Sequence, residues 1–197
     1  MQTVEKIAEE VETELTALIE KKETELVLLG CCVGAALTLA LARRLESNPL
    51  VKIRLVLAGS LPTFFVGTKG RKKKKMLLWD LLPQKAGERF LSCLYGEKVH
   101  LSETMYERLK KEARIYVDYF EKMRWEKSEV QADATVIFGK KDLLTFGYRK
   151  RYFQWKNFIK GNINLVEIPD AAHYFVSSCA DTVAESILTG EKRNKGR

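Results

Sequence analysis

Apolar residues recur along this chain with two different periods. At positions 4, 7, 8, 11, 15 and 18 they keep the spacing of one helix face, with mostly acidic residues between them. A short apolar run at 26–29 then reads as a strand, and Gly30-Cys31-Cys32-Val33-Gly34 follows it as a tight turn. A helix is predicted over about 33–46, stopped by Ser47-Asn48-Pro49. Residues 53–57 read as the next strand, so the strand–helix–strand unit predicts parallel pairing with a right-handed crossover. Between 61 and 129 the pattern holds only helical runs, near 76–82, 86–94, 102–112 and 113–125. Strands return at about 134–138 and 163–168, with a helix predicted between them at about 147–159. A last helix at 180–188 precedes a charged tail, 191–197, expected to fray. No internal repeat and no interdomain linker interrupt this order.

The turn at 30–34 matches glycine–x–nucleophile–x–glycine between a strand and a helix. Such a turn must be sharp to lift its central side chain over the sheet, so its neighbours must be small. Gly30 and Gly34 are expected to supply that room, and Cys32 takes the nucleophile's place. An elbow of this kind calls for an acid and then a histidine further along. Asp142 follows the strand 134–138, and His173 follows the strand 163–168 in Asp170-Ala171-Ala172-His173-Tyr174-Phe175. Nucleophile, acid and histidine in that order, each beyond the carboxyl end of a strand, is the order of α/β-hydrolases. Cys32 would attack an acyl carbon, His173 would take the thiol proton, and Asp142 would orient the imidazole. The start of the elbow helix would favour a thiolate at Cys32.

Each assignment has a plainer rival. Cys32 is also a small residue suited to a tight turn, with the equally small Cys31 beside it. His173 could serve as a hydrogen-bonded loop residue, and Asp142 could cap the following turn. Asp170 is a rival acid, only three residues from His173. Ser60 is a distant alternative nucleophile without an elbow, and His100 is the second histidine. No acid follows the strand 53–57, where Ala58-Gly59-Ser60 stands, which favours Asp142.

The chain resembles the type II thioesterases that accompany nonribosomal peptide and polyketide synthases. The resemblance rests on Leu28-Leu29-Gly30-Cys31-Cys32-Val33-Gly34-Ala35, Tyr116-Val117-Asp118-Tyr119-Phe120, Val136-Ile137-Phe138-Gly139-Lys140-Lys141-Asp142, and Trp155 with Ile168-Pro169-Asp170-Ala171-Ala172-His173-Tyr174-Phe175. It implies an α/β fold: a partial α/β-hydrolase-like parallel sheet of about four strands, flanked by helices, in one domain over 1–197. The stretch at about 61–129 would be a helical lid. Trp79, Phe90, Tyr95, Tyr116, Tyr119 and Phe120 would line an acyl channel or pack the lid itself. The resemblance implies hydrolysis of acyl thioesters carried on the phosphopantetheine of an acyl or peptidyl carrier protein, with no metal or organic cofactor. Two departures stand out. The family usually has serine where Cys32 stands, and it has strands before the elbow that have no counterpart here. Those strands carry a loop that donates one N–H to the oxyanion hole, leaving the N–H of Val33. Losing one such donor costs on the order of 100- to 1,000-fold in rate. An impaired relative that binds an acyl-carrier partner, or an acyltransferase, is therefore the alternative. An exposed edge on the elbow strand would also be sticky, which implies a homodimer or a complementing partner chain.

Composition narrows the field. The 197 residues are 46% hydrophobic and 30% charged, ordinary for a globular domain with a real core. The four cysteines lack metal-ligand spacing, and the acidic start is unlike a targeting segment, so a reducing cytoplasm is expected. The net charge is +8, concentrated in Lys69-Gly70-Arg71-Lys72-Lys73-Lys74-Lys75. That run reads as a solvated loop or as a dock for an acidic carrier protein; no nucleic-acid motif accompanies it. The uncharged run 26–42, with its small-residue spacing, also suggests a membrane helix, but it is short for a span. No membrane and no nucleic acid are expected among its partners.

Overall fold

In a computed structural model, residues 3–19, 22–62, 82–95 and 98–193 are described. Four strands, β1 (Thr24–Cys31), β2 (Val51–Ala58), β3 (Asp133–Gly139) and β4 (Ile163–Ile168), form one parallel sheet in the order β1-β2-β3-β4. Every pairing is parallel: Leu28 lies beside Leu55, Leu57 beside Val136, and Val136 beside Leu165. The uncharged run 26–42 is thereby divided between a strand and a helix. No helix among the described residues is long and apolar enough to cross a membrane.

Helices cover both faces. α1 (Val4–Leu18), α2 (Gly34–Leu45) and the long α4 (Glu103–Glu126) lie on one face with the larger core. Leu39, Leu55, Leu57, Phe120, Phe138 and Trp155 are buried there. On the other face Val56, Ala58, Ile137, Ile168 and Phe175 pack with Val183 of α6 (Ala180–Arg193). Alternation along β2 and β3 assigns successive residues to these two cores, as the pleat requires. At the sheet's edge, β1 pairs with β2 alone among the described strands, and Val27 and Leu29 are 42% and 46% exposed.

Caps mark the helix starts. Thr3 accepts a hydrogen bond from the Lys6 N–H at 3.2 Å, and Ser102 accepts one from Met105 at 3.2 Å. After α2 the chain crosses to β2, then through α3 (Gln84–Tyr95) and α4 to β3. The two helical runs expected at 102–112 and 113–125 are one helix of 24 residues. Nothing between them breaks it, and Lys127 at φ 48° ends it.

The helix expected at 147–159 is instead two 3₁₀ pieces, Tyr148–Lys150 and Tyr152–Asn157. Tyr152, Trp155 and Phe158 pack on the larger core, and a spacing of three is one face of a 3₁₀ turn. A short helix, α5 (Phe175–Ser178), was not anticipated. The basic run 69–75, Trp79 and the helical run near 76–82, apart from its last residue, lie outside the described residues, as does the end of the tail.

Candidate active site

Cys32 stands between the end of β1 and the start of α2 with φ 52°. This left-handed conformation costs a non-glycine residue roughly 1–2 kcal/mol. It is held by the Cys32 N–H, which donates to Ala58 O at 2.9 Å, and by Cys32 O, which accepts from Ala35 at 3.3 Å. Gly30 is required by contact: a Cβ there would lie 2.2 Å from Thr38 Oγ1 and 2.9 Å from the Ala35 backbone. Gly34 is not required in that way, because an added Cβ would meet nothing within 4 Å. The room expected from two glycines is therefore needed at one, where α2 closes on β1. The backbone of Val33 lies at the N-terminal end of α2, where unpaired N–H groups collect.

The loop after β3 delivers Asp142, which is buried. Its Oδ1 accepts the Leu144 N–H at 2.9 Å, and its Oδ2 accepts the Thr145 hydroxyl at 2.6 Å. His173 Nδ1 lies 2.9 Å from the same Oδ2. The His173 loop is fastened to the Asp142 loop by Lys141 N–H, which donates to Ala171 O at 2.9 Å. Asp170, at φ 57° and 84% exposed on its side chain, pairs with Lys141 Nζ at 2.9 Å. It braces that junction and does not reach His173 as a rival acid. Thr145 and Lys141 were not singled out in the sequence, which offers no signal for them.

His173 is 1% exposed. Its Nε2 is buried without a hydrogen-bond partner. Burial pulls the imidazole's pKa down, but the hydrogen bond to Asp142, the nearby sulfur of Cys32 and the charges of both raise it to about 9. Cys32 thus lies close enough to act on the ring without hydrogen-bonding geometry to Nε2. The neighbouring thiol differs. Burial, with Cys32 and Asp142 nearby, pushes the pKa of Cys31 up to about 11. Cys31 packs against the second core, with Val56 and Ala58.

One further residue shapes the site. Gly59, just beyond β2, has φ 56°, and a Cβ there would sit 3.3 Å from His173 Cε1 and 3.4 Å from its Nδ1. Ser60, the distant alternative nucleophile, is buried and spoken for. Its hydroxyl is 2.8 Å from the Tyr116 hydroxyl, which donates to Leu61 O at 2.8 Å. Trp155 Nε1 donates to Ser60 O at 3.3 Å. Tyr116, Tyr119 and Phe120 belong to the larger core and pack there instead of lining an open channel. His100 is exposed before α4. A separate cleft of about 730 Å³ lies at the opposite ends of the strands, lined by Glu25, Lys52, Arg54, Asp133 and Asn162, and contains none of these groups.

The parallel four-stranded sheet flanked by helices has the architecture of a partial α/β-hydrolase fold. Solved structures share it. ClbQ from the colibactin NRPS/PKS pathway matches with TM-score 0.62 and 15% identity over 98% of this chain and 78% of that one. YbtT, a type II thioesterase from the yersiniabactin NRPS/PKS pathway, matches with TM-score 0.63 and 16% identity, covering 95% and 73%. A thermophilic esterase matches with TM-score 0.60 and 20% identity, covering 98% and 74%. At these identities the likeness establishes the fold. No family model and no curated protein matches the chain.

Proposed function

We propose that this chain is a thioesterase that releases acyl groups from carrier-protein phosphopantetheine through Cys32, His173 and Asp142. The observation that carries the reading is the Asp142–His173 bond of 2.9 Å, which leaves a buried, unpartnered Nε2 beside a strained elbow thiol. A solitary structural histidine would have both nitrogens satisfied or solvated. The esterase and the type II thioesterase that share the fold support hydrolysis as the chemistry.

The reaction needs no cofactor. The Cys32 thiol gives its proton to His173 Nε2, and Sγ bonds to the thioester carbonyl carbon. The oxyanion that forms is stabilised by the N–H of Val33. Collapse breaks the bond to the phosphopantetheine sulfur, which takes the proton from Nε2. Water then attacks the carbonyl carbon of the acyl-Cys32 thioester while Nε2 accepts its proton. Collapse frees the carboxylic acid and returns the proton to Cys32. Asp142 holds the Nδ1 proton throughout, which keeps Nε2 available.

In this reading the helical segment around α3 and α4 is the lid of one catalytic domain. The net charge of +8 suits an acidic carrier protein. The four free cysteines suit a reducing cytoplasm, and the unpaired edge of β1 is where a second copy would pair. The test is hydrolysis of short acyl thioesters by the wild type and by Cys32→Ala, His173→Ala and Asp142→Ala. Activity in the wild type, abolished by the first two changes, supports the triad. A folded wild type without activity refutes it.

A further inference from the structure

His173 is nearly sealed from solvent, yet in the proposed reaction its Nε2 must meet the leaving sulfur and then water. Something beside it has to move. One group packed against it is Tyr174, whose ring stands edge-on to the imidazole with centroids 5.1 Å apart. Tyr174 is covered in turn by Tyr95, the last residue of α3. The two phenol rings stack with centroids 3.6 Å apart and planes 17° from parallel. Burial, a hydrogen bond that the Tyr174 hydroxyl donates to the Tyr95 oxygen, and the nearby Tyr95, Cys32 and Cys31 all raise the pKa of Tyr174, so both sulfurs lie within electrostatic reach of its hydroxyl.

The two tyrosines are anchored very differently. Tyr174 follows His173 directly and precedes α5, so it cannot leave without dragging the imidazole off Asp142. Tyr95 is 43% exposed at the last position of α3. Gln84 Nε2 donates to Leu101 O at 2.8 Å, and Glu88 Oε1 accepts from the Leu101 N–H at 2.9 Å. Gly87 of α3 lies against Tyr106 of α4. The start of α3 is thus pinned to the segment leading into α4, and its last turn is held by buried Leu91 and Leu94 and by Ser92 Oγ, which accepts the Val99 N–H at 2.9 Å, so that the Tyr95 side chain itself meets the His173 loop through its ring stack. Stacking of two rings is a weak attachment, readily broken and remade.

We propose that Tyr95 is the gate of this site: stacked on Tyr174 it closes access to Cys32 and His173, and it swings aside to admit an acyl group. Bulky and aromatic acyl groups require the open position, whereas small ones pass beside the stack. Tyr95 therefore sets the size of acyl group that reaches the thiol. The proposal rests on reading Cys32 as the nucleophile.

The test separates the gate from the reaction. Wild type, Tyr95→Ala and Tyr95→Phe are treated with iodoacetamide and with N-(1-pyrenyl)maleimide, and the label on Cys32 is followed by fragment mass spectrometry. The Tyr95→Ala change should speed the pyrenyl reagent at Cys32 about five- to tenfold, the span expected for losing one aromatic stack. Iodoacetamide should change less than twofold, and Tyr95→Phe, which keeps the ring stack but loses the hydroxyl's bond with Tyr174, should lie between wild type and Tyr95→Ala. In parallel, Tyr95→Ala should raise kcat/KM for a benzoyl thioester relative to an acetyl thioester. Equal pyrenyl rates in wild type and Tyr95→Ala, with both folded by circular dichroism, overturn the gate. Gated labelling without thioester hydrolysis by the wild type would overturn the thioesterase reading while leaving the gate standing.

Discussion

Asp142→Asn changes one atom in the buried carboxylate that holds His173, and its consequences can be worked out in sign and size. The native imidazole titrates at about 9 instead of the ordinary 6.5. That difference of about 2.5 units corresponds to about 3 kcal/mol of preference for the imidazolium in the folded protein. Burial opposes that preference, so the hydrogen bond and charge of Asp142, with Cys32, supply it. Taking away the Asp142 charge should lower the His173 pKa by about 1–3 units. The amide also faces two donors on the old Oδ2 side, the Thr145 hydroxyl and His173 Nδ1. Its NH₂ turned there would force Nδ1 to accept, moving the ring proton to Nε2, where it cannot take a proton from Cys32.

The chain has two histidines, so proton NMR of the imidazole Cε1 protons should show two titrations, with His100→Gln identifying the second. Because the folded pKa lies above the unfolded one, the stabilisation is complete below pH 6.5 and is lost as pH rises through 9. Denaturant midpoints of wild type and Asp142→Asn should therefore differ most near pH 6 and converge above pH 9. A His173 that titrates together with His100 in the wild type, or a stability gap constant from pH 6 to pH 10, would refute the reasoning.

Three other outcomes are expected. At pH 8 only about one Cys31 thiol in a thousand is ionised, given its pKa of about 11, so Cys32 should take iodoacetamide first, and Cys31→Ala should leave that labelling rate unchanged. Gly59→Ala places a methyl 3.3 Å from His173 Cε1 in a left-handed conformation; stability should fall by roughly 1–2 kcal/mol, read as a lower melting temperature, and hydrolysis should fall further than stability does. Ser60→Ala should keep thioester hydrolysis, since the Tyr116 hydroxyl still donates to Leu61 O; loss of activity in a folded variant would revive Ser60 as a reacting group.

The order of the strands and the residues of the proposed triad are legible because each leaves a local mark. Apolar runs of strand length with a glycine turn between them locate β1 and α2, and a lone histidine beyond an apolar strand is conspicuous in a chain with two. What escaped depends on contacts between distant segments. The 3₁₀ pieces between β3 and β4 looked like one helix because 148–159 is rich in residues that suit either form. Only the burial of Tyr152, Trp155 and Phe158 against the larger core selects the tighter winding. The single long α4 reads as two runs because its aromatic stripe at 116, 119 and 120 shifts from the polar pattern before it, and those aromatics are the part of the helix that joins the larger core.

The glycines show why a motif reveals part of such a site and hides the rest. The elbow motif named Gly30 and Gly34, yet the contact that demands the absence of a side chain is at Gly30, where α2 closes on β1. The counterpart at the end of β2 is Gly59, whose missing side chain gives His173 its place, and no pattern in Ala58-Gly59-Ser60 announces it. At the end of β3, a Cβ on Gly139 would lie 2.3 Å from Ala171 O, where the His173 loop crosses. Three adjacent strands thus end in a glycine against which another segment closes. The residues of the proposed triad are brought together by backbone approach at these strand ends as much as by the Asp142–His173 hydrogen bond. A side chain added at the second or third should disturb the Asp142–His173 geometry without touching either residue's chemistry, whereas one added at the first should drive Thr38 and the Ala35 backbone, and with them the start of α2, away from β1.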